Sequence, residues 1–298
     1  MELWVIVTIL AAGVQTLRFM LQKRLKGLGL STGGATFSRF LYAAPLAGVG
    51  LTALLVWHDA PFPALSARFW TFAILGGLGQ IIATFCTVAL FSERSFAVGI
   101  AFTKTETIQV AAFSALVLGD TVSAPGFAAI VIGTLGVLLL SRPAQGWRAG
   151  GFFNRATGLG ILAGALFGLS AIGYRGATLE ITHPDALLRA TAALACATAF
   201  QALSMALWLR WREPGEVSRV IGAWRATLPV GVTGVLGSLG WFTAFALQNA
   251  AYVRSVGQVE LVFSILISVL VFRERARTAE IIGMALLVAS ILGIVLLA

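Results

Sequence analysis

Charge is what this sequence has least of. Only 11% of its 298 residues are Asp, Glu, Lys or Arg, where soluble domains carry about 25%. So few charges cannot cover the surface of a chain this long in water. Cysteine is nearly absent too: Cys86 and Cys196 both sit inside apolar runs, without metal-ligand spacing or a disulfide framework. They read as small buried hydrophobes. The two histidines, His58 and His183, fall in polar connections with no cluster around them. Neither metal nor nucleophilic chemistry is expected, and no cofactor. No Gly-Lys-Ser/Thr phosphate loop occurs, which excludes an ATPase within the chain. No stretch alternates with period two over about ten residues, as a membrane barrel strand would. The first apolar run begins at Leu3 without a basic stretch before it, so no cleavable leader is read.

What is present is hydrocarbon. The chain is 58% hydrophobic with a mean hydropathy of +0.92. Ten apolar runs approach the roughly 20 residues a helix needs to cross a bilayer. They cover 3–22, 33–57, 69–91, 96–118, 123–141, 157–179, 186–209, 222–247, 250–272 and 278–297. An open sheet edge cannot sit in lipid, so the runs are expected to be helices. The net charge of +9 would suggest nucleic acid in a soluble protein. Here the basic residues lie in short connections between the runs, which points to a lipid bilayer as partner and not to nucleic acid.

The distribution of those residues predicts an orientation. Connections after runs 1, 3, 5, 7 and 9 hold Lys23, Arg24, Lys26, Arg39, Arg94, Arg142, Arg148, Arg155, Arg210, Arg212, Arg219, Arg225, Arg273, Arg275 and Arg277. Those after runs 2, 4, 6 and 8 hold only Arg68, Arg175, Arg189 and Arg254. The basic side faces the cytoplasm, so both termini are expected outside.

A stretch occurs twice. Phe91–Leu140 slides onto Phe245–Ile294 by 154 positions, setting Glu106 on Glu260, Ser114 on Ser268 and Asp120 on Glu274. In each copy a buried acid, an apolar run, a polar corner and a second apolar run follow in order. The polar stretch after the fifth run divides the chain into a first five-helix repeat at 1–141, a linker at 142–156 and a second repeat at 157–298. Five spans per half is odd, so the halves are expected to be inverted about an axis in the membrane plane, around a central cavity that supports alternating access. The fold class expected is an all-α integral membrane protein of ten transmembrane helices. Two fused halves complete a cavity within one chain, so a functional monomer is expected.

Polar residues deep in lipid are costly and often functional. Glu106 and Glu260 lie near the centres of runs 4 and 9, as gating or proton-coupling carboxylates or as structural ones. Lys104 has Gln258 as its counterpart in the second half; it pairs with Glu260 or holds a substrate carboxylate. Arg18, near the end of run 1, is expected to snorkel to the interface. Uncharged polar residues gather in runs 1, 3, 4, 6, 8 and 9: Gln15, Gln22, Gln80, Thr84, Thr87, Thr103, Gln109, Ser170, Tyr174, Ser238, Trp241, Thr243, Tyr252, Ser255 and Gln258 among them. Runs 5 and 10 are nearly pure hydrocarbon, so the last helix of each half is expected outside the cavity. The substrate-binding candidates are Gln15, Gln80, Thr84, Lys104, Tyr174, Trp241, Tyr252 and Gln258. Glycines on runs 3, 6 and 8 read as helix packing, with room for a ligand as the alternative on runs 3 and 8.

The whole pattern resembles the EamA branch of the drug/metabolite transporter superfamily. Each repeat there carries an arginine early in its second helix, matched by Arg39 and Arg189. Each has an acid-proline pair in its fourth helix; the acids match Glu106 and Glu260, with Thr107 and Leu261 in place of proline. Each ends on a Gly-Glu-Arg corner, which reads Gly119-Asp120 in one half and Arg273-Glu274-Arg275 in the other. Within the branch, the chain looks most similar to YddG-type exporters of aromatic and other amino acids. The resemblance implies a transporter, not an enzyme, exporting a small-molecule substrate across a bacterial inner membrane without ATP. The alternative is a broad drug or other metabolite exporter of the same superfamily. An integral membrane enzyme would need clustered His, Asp or Ser near one interface, and the sequence shows no such cluster; a polar ring around an oligomer axis would favour a channel, and a single chain with an inverted repeat does not.

Overall fold

The computed structural model describes residues 2–90, 103, 106–140, 155–263 and 278–297. Eleven helices lie within them: α1 (Leu3–Gly27), α2 (Thr32–Trp57), α3 (Ala67–Leu90), α4 (Glu106–Leu118), α5 (Ala124–Leu140), α6 (Arg155–Leu179), α7 (Ala186–Arg212), α8 (Glu216–Gly222), α9 (Trp224–Leu247), α10 (Ala250–Gly257) and α11 (Thr278–Leu297). Among the described residues there are no strands. Six helices are long and apolar enough to cross a bilayer: those in α1, α2, α3, α6, α7 and α9. Shorter apolar helices lie in α4, α5 and α11. The protein is a multi-pass helical membrane protein. The seven-residue helix α8 was not expected; its polar sequence carries too short an apolar stretch to announce a helix.

Local chemistry sets the ends. Ser31 caps α2, its hydroxyl accepting from the amide of Gly34 at 2.9 Å, and Asp185 caps α7 through the amides of Leu187 and Leu188. Such caps satisfy the unpaired amides of a helix's first turn. Gly29, at φ +79°, ends α1 in the left-handed region open to glycine. The ninth run is broken without a proline. α10 stops at Gly257, and tight bonds carry the chain over the break: Gln258 N to Ser255 O at 3.2 Å and Val259 N to Val256 O at 3.1 Å. The helix resumes at Glu260.

The long contacts run antiparallel. Phe72, Gly76 and Gly79 of α3 meet Gly176, Gly173 and Leu166 of α6. Ala11, Val14 and Arg18 of α1 meet Gly240, Gly237 and Gly234 of α9. α5 runs against α11, with Ala129 beside Gly293, Gly133 beside Ser290, and Gly136 beside Gly283. α2 and α7 touch at both ends, where Ser31 meets Glu213 and His58 meets Asp185 at 3.1 Å. Small residues allow this approach; a methyl at Gly173 would stand 2.7 Å from the Cα of Gly76. In lipid such packing supplies much of the association energy. The glycines of α3 and α9 are filled by neighbouring helices, which removes the alternative that they leave room for a ligand.

Candidate functional site

A cavity of about 350 Å³ opens where α1, α2, α3, α6, α9 and α10 converge with Thr103, Glu106, Glu260 and Leu261. α5 and α11 line none of it and pack on each other instead. The wall is aromatic on one side: Tyr174 and Phe242 lie 4.1 Å apart between ring centres, and Trp241 stacks near Phe245 at 6.1 Å. Phe19, Met20, Phe167 and Leu261 add further apolar surface, and among the polar lining groups Arg39, Glu106, Arg254 and Glu260 are charged.

Two acids, one from each half of the sequence, are joined across this space. Glu260 Oε2 accepts from the side-chain amide of Gln15 at 2.9 Å. The same Gln15 accepts through its Oε1 from the indole N–H of Trp241 at 3.0 Å. The guanidinium of Arg254 lies over the Trp241 ring, 4.7 Å from its centre. Arg254 Nη2 donates to Glu106 Oε2 at 2.5 Å. The indole is seated in turn by Gly257, whose Cβ, if present, would meet it at 2.3 Å. The break after α10 and the absent side chain at Gly257 therefore set the ring that links the two acids.

A second network ties α3, α6 and α7. Gln80 Oε1 accepts from Tyr174 Oη and from Gln201 Nε2, both at 2.9 Å. Gln201 also reaches Tyr174 Oη at 2.9 Å and Gly77 O at 3.1 Å. Beyond the end of α9 stands a third. Arg175 forks onto Asp120 at 2.7 and 2.9 Å and donates to the carbonyls of Phe245 and Gln248. Arg189 Nη2 adds a long contact of 3.4 Å to Ala246 O. These donors satisfy carbonyls at the C-terminal turn, which have no partner within the helix. Burial alone would raise the Asp120 carboxyl, but the hydrogen bonds from Arg175 and Ser114 and the charge of Arg175 bring it below the usual carboxylate value.

Of the expected substrate-binding residues, Gln15, Gln80, Tyr174 and Trp241 line the cavity. Thr84 is buried beside it, its hydroxyl accepting from Arg39 at 3.2 Å. Tyr252 instead serves the α4–α5 corner, where its hydroxyl accepts from the amide of Ser123 at 3.0 Å. Gln258 turns back on its own helix, to Arg254 O at 3.3 Å. Neither lines the cavity. Lys104 lies outside the described residues, as does the linker expected at 142–156 apart from its last two residues. The snorkelling expected of Arg18 is corrected: the residue is 2% exposed and donates to Gln22 at 2.5 Å.

Sequence reasoning passed over Arg254 and Gln201. Arg254 had been counted with the connection charges, although it falls within the ninth apolar run. Gln201 is the lone glutamine of the seventh. Each is a polar exception inside hydrocarbon, the signal that drew attention to Glu106 and Glu260.

The second half of the chain, residues 155–296, matches the model of the EamA-like transporter family. That half is similar to the domains of this transporter family. A solved crystal structure superposes with a TM-score of 0.72 at 15% identity, covering 99% of this chain and 96% of the other. The shared fold thus takes in both halves of the chain. No curated protein matches the sequence.

Proposed function

We propose that the chain is a secondary transporter that exports amino acids, aromatic and other neutral ones, by alternating access and without ATP. The observation that carries this reading is the cavity itself. It presents both signs of charge next to an aromatic wall, as a zwitterion with a ring requires. Its volume of about 350 Å³ lies at the small end of the range of about 300–1,000 Å³ for small-molecule sites, which suits one metabolite better than a bulky drug.

Alternating access rests on two inverted halves, 1–141 and 157–298. The antiparallel pairs support it. Under exchange of the halves, α3 with α6 becomes α9 with α1, while α2 with α7 and α5 with α11 map onto themselves. An axis in the membrane plane produces such self-paired antiparallel helices. The cavity network crosses between halves, so rocking one against the other would remake the bonds of Glu106 and Glu260. Those carboxylates are gating groups in this reading. The charge distribution supports an orientation with both termini outside, the membrane being a bacterial inner one in this reading, and a cavity lined within one chain suits a monomer.

Counterflow into proteoliposomes tests the reading. Vesicles preloaded with one unlabelled amino acid should accumulate the labelled one, and vesicles preloaded with a cationic dye or a nucleotide sugar should not. Signal with a dye and none with any amino acid would reject the amino-acid assignment in favour of a broad exporter.

A further inference from the structure

Two guanidinium groups lie buried beside each other at the edge of the cavity, and neither meets a carboxylate among the described residues. Arg18 on α1 is 2% exposed and Arg39 on α2 is 3% exposed. Both press on the same point of α9. A methyl group at Gly234 would stand 3.1 Å from Cγ of Arg39 and 3.8 Å from Cδ of Arg18. Arg18 uses Nη1 on Gln22 and rests over the Phe19 ring at 4.3 Å. Its Nη2 is buried with no hydrogen-bond partner. Among the described residues Arg39 donates to two hydroxyls alone, Thr84 Oγ1 and Ser238 Oγ, each at 3.2 Å.

This is unlike the treatment of two other enclosed arginines. Arg254 has Glu106 and Arg175 has Asp120, both at 2.7 Å or closer. Guanidinium cannot shed its proton in a protein. Two such charges held together away from water, without a counter-charge, are costly. Their planar donors match an acid group, and charge-assisted bonds to one are among the strongest available. Arg39 lines the cavity and Arg18 does not, so an acid would meet Arg39 with the second positive charge behind it.

We infer that Arg39, backed by Arg18, is the receptor for the acid group of the transported solute. The carrier therefore takes carboxylates in preference to simple cations. This deepens the transport reading and rests on it: Glu106, Arg254 and Glu260 already engage one another or Gln15, whereas the Arg18–Arg39 pair awaits an anion.

The test needs no variant at first. Purified wild-type protein in low-chloride buffer is titrated with L-phenylalanine, its methyl ester, phenylacetate and phenethylamine, and separately with sodium chloride. Apparent melting temperature and tryptophan fluorescence are followed. Phenylalanine and phenylacetate should bind at least about tenfold more tightly than the ester and the amine, the discrimination one charge-assisted pair supplies. R39Q should abolish that difference, R39K should keep part of it, and R18Q should weaken both acids. Equal binding of acid, ester and amine would overturn the assignment, as would an R39Q protein that still discriminates. Saturation by chloride alone, with acids adding nothing, would also overturn it, by making the pair a free-anion site. Counterflow separates this result from the transport reading. If no amino acid exchanges while the acid-selective melting shift persists, the amino-acid assignment falls and Arg39 remains an acid receptor.

Discussion

Breaking the Glu106–Arg254 pair should destabilise the protein, and removing both charges should restore it. The pair is inaccessible on the acidic side: the side chain of Glu106 is 3% exposed and that of Arg254 13%. Deleting one partner of a buried ion pair costs about 3–5 kcal/mol, because a charge is left in low dielectric without its counter-charge. The two deletions are not equal. R254Q strands the more deeply buried carboxylate, whereas E106Q strands a guanidinium that is more exposed and still lies over the Trp241 face. R254Q should therefore lie at the upper end of that range and E106Q at the lower. At about 2–4 °C per kcal/mol for chains of this order, the apparent melting temperature falls by roughly 6–20 °C in the single variants. The double variant E106Q/R254Q should recover most of the loss, since a neutral pair of similar volume carries no desolvation cost. The cycle over the four proteins should give a coupling of about 2 kcal/mol or more. Losses that simply add in the double variant would refute the claim that the contact is an ion pair held in low dielectric.

Three further outcomes follow from other parts of the molecule. Asp120 has a depressed carboxyl, so its tie to Arg175 stabilises the fold above about pH 4 and is lost as pH falls through the depressed value; melting curves from pH 7 to pH 3 should fall less steeply for D120N than for wild type. Gly34→Ala places a methyl 2.1 Å from Oε1 of Glu216, the atom that accepts from the Ser31 amide at 2.7 Å; displacing it should cost about 1–3 kcal/mol in thermal unfolding, and Glu216→Ala in the same chain should relieve the clash. Gly257→Ala should push Trp241 off Gln15, raising KM for transport and shifting tryptophan emission, while a change at Gly48, which touches nothing within 4 Å, should do neither.

Much of the scaffold was legible because lipid leaves few choices. Long apolar runs can only be helices there, and each of the ten runs is helical over part of its described length. The two acids were legible as polar exceptions in hydrocarbon. Their partners were less so. Sequence position gives no depth for a residue near the end of a run, and Arg254 and Arg18 both lie there. One reads as a loop charge and the other as a snorkelling charge, yet packing from α9 and α10 encloses both. Tyr252 and Gln258 failed as cavity residues for a related reason. Tyr252 shares α10 with Arg254 but leaves it on another face, and Gln258 lies just past the helix, in the break that turns it back onto Arg254 O. The chain makes that break without a proline, with glycine and two tight backbone bonds.

In the proposed two-half reading, the halves differ where they would otherwise match. Arg39 and Arg189 occupy equivalent places early in the second helix of each half. Arg39 turns to the cavity, and Arg189 caps the last turn of α9. Glu106 has an arginine as partner, whereas Glu260 has the amide of Gln15. In the proposed alternating-access reading, a symmetric pair of gates would require only that the scaffold exchange its two arrangements. A solute with different ends requires the opposite, a site whose two sides differ in charge. One half therefore spends its arginine on holding a helix end, and the other leaves its arginine, with Arg18 beside it, free of any carboxylate among the described residues and turned towards whatever enters the cavity.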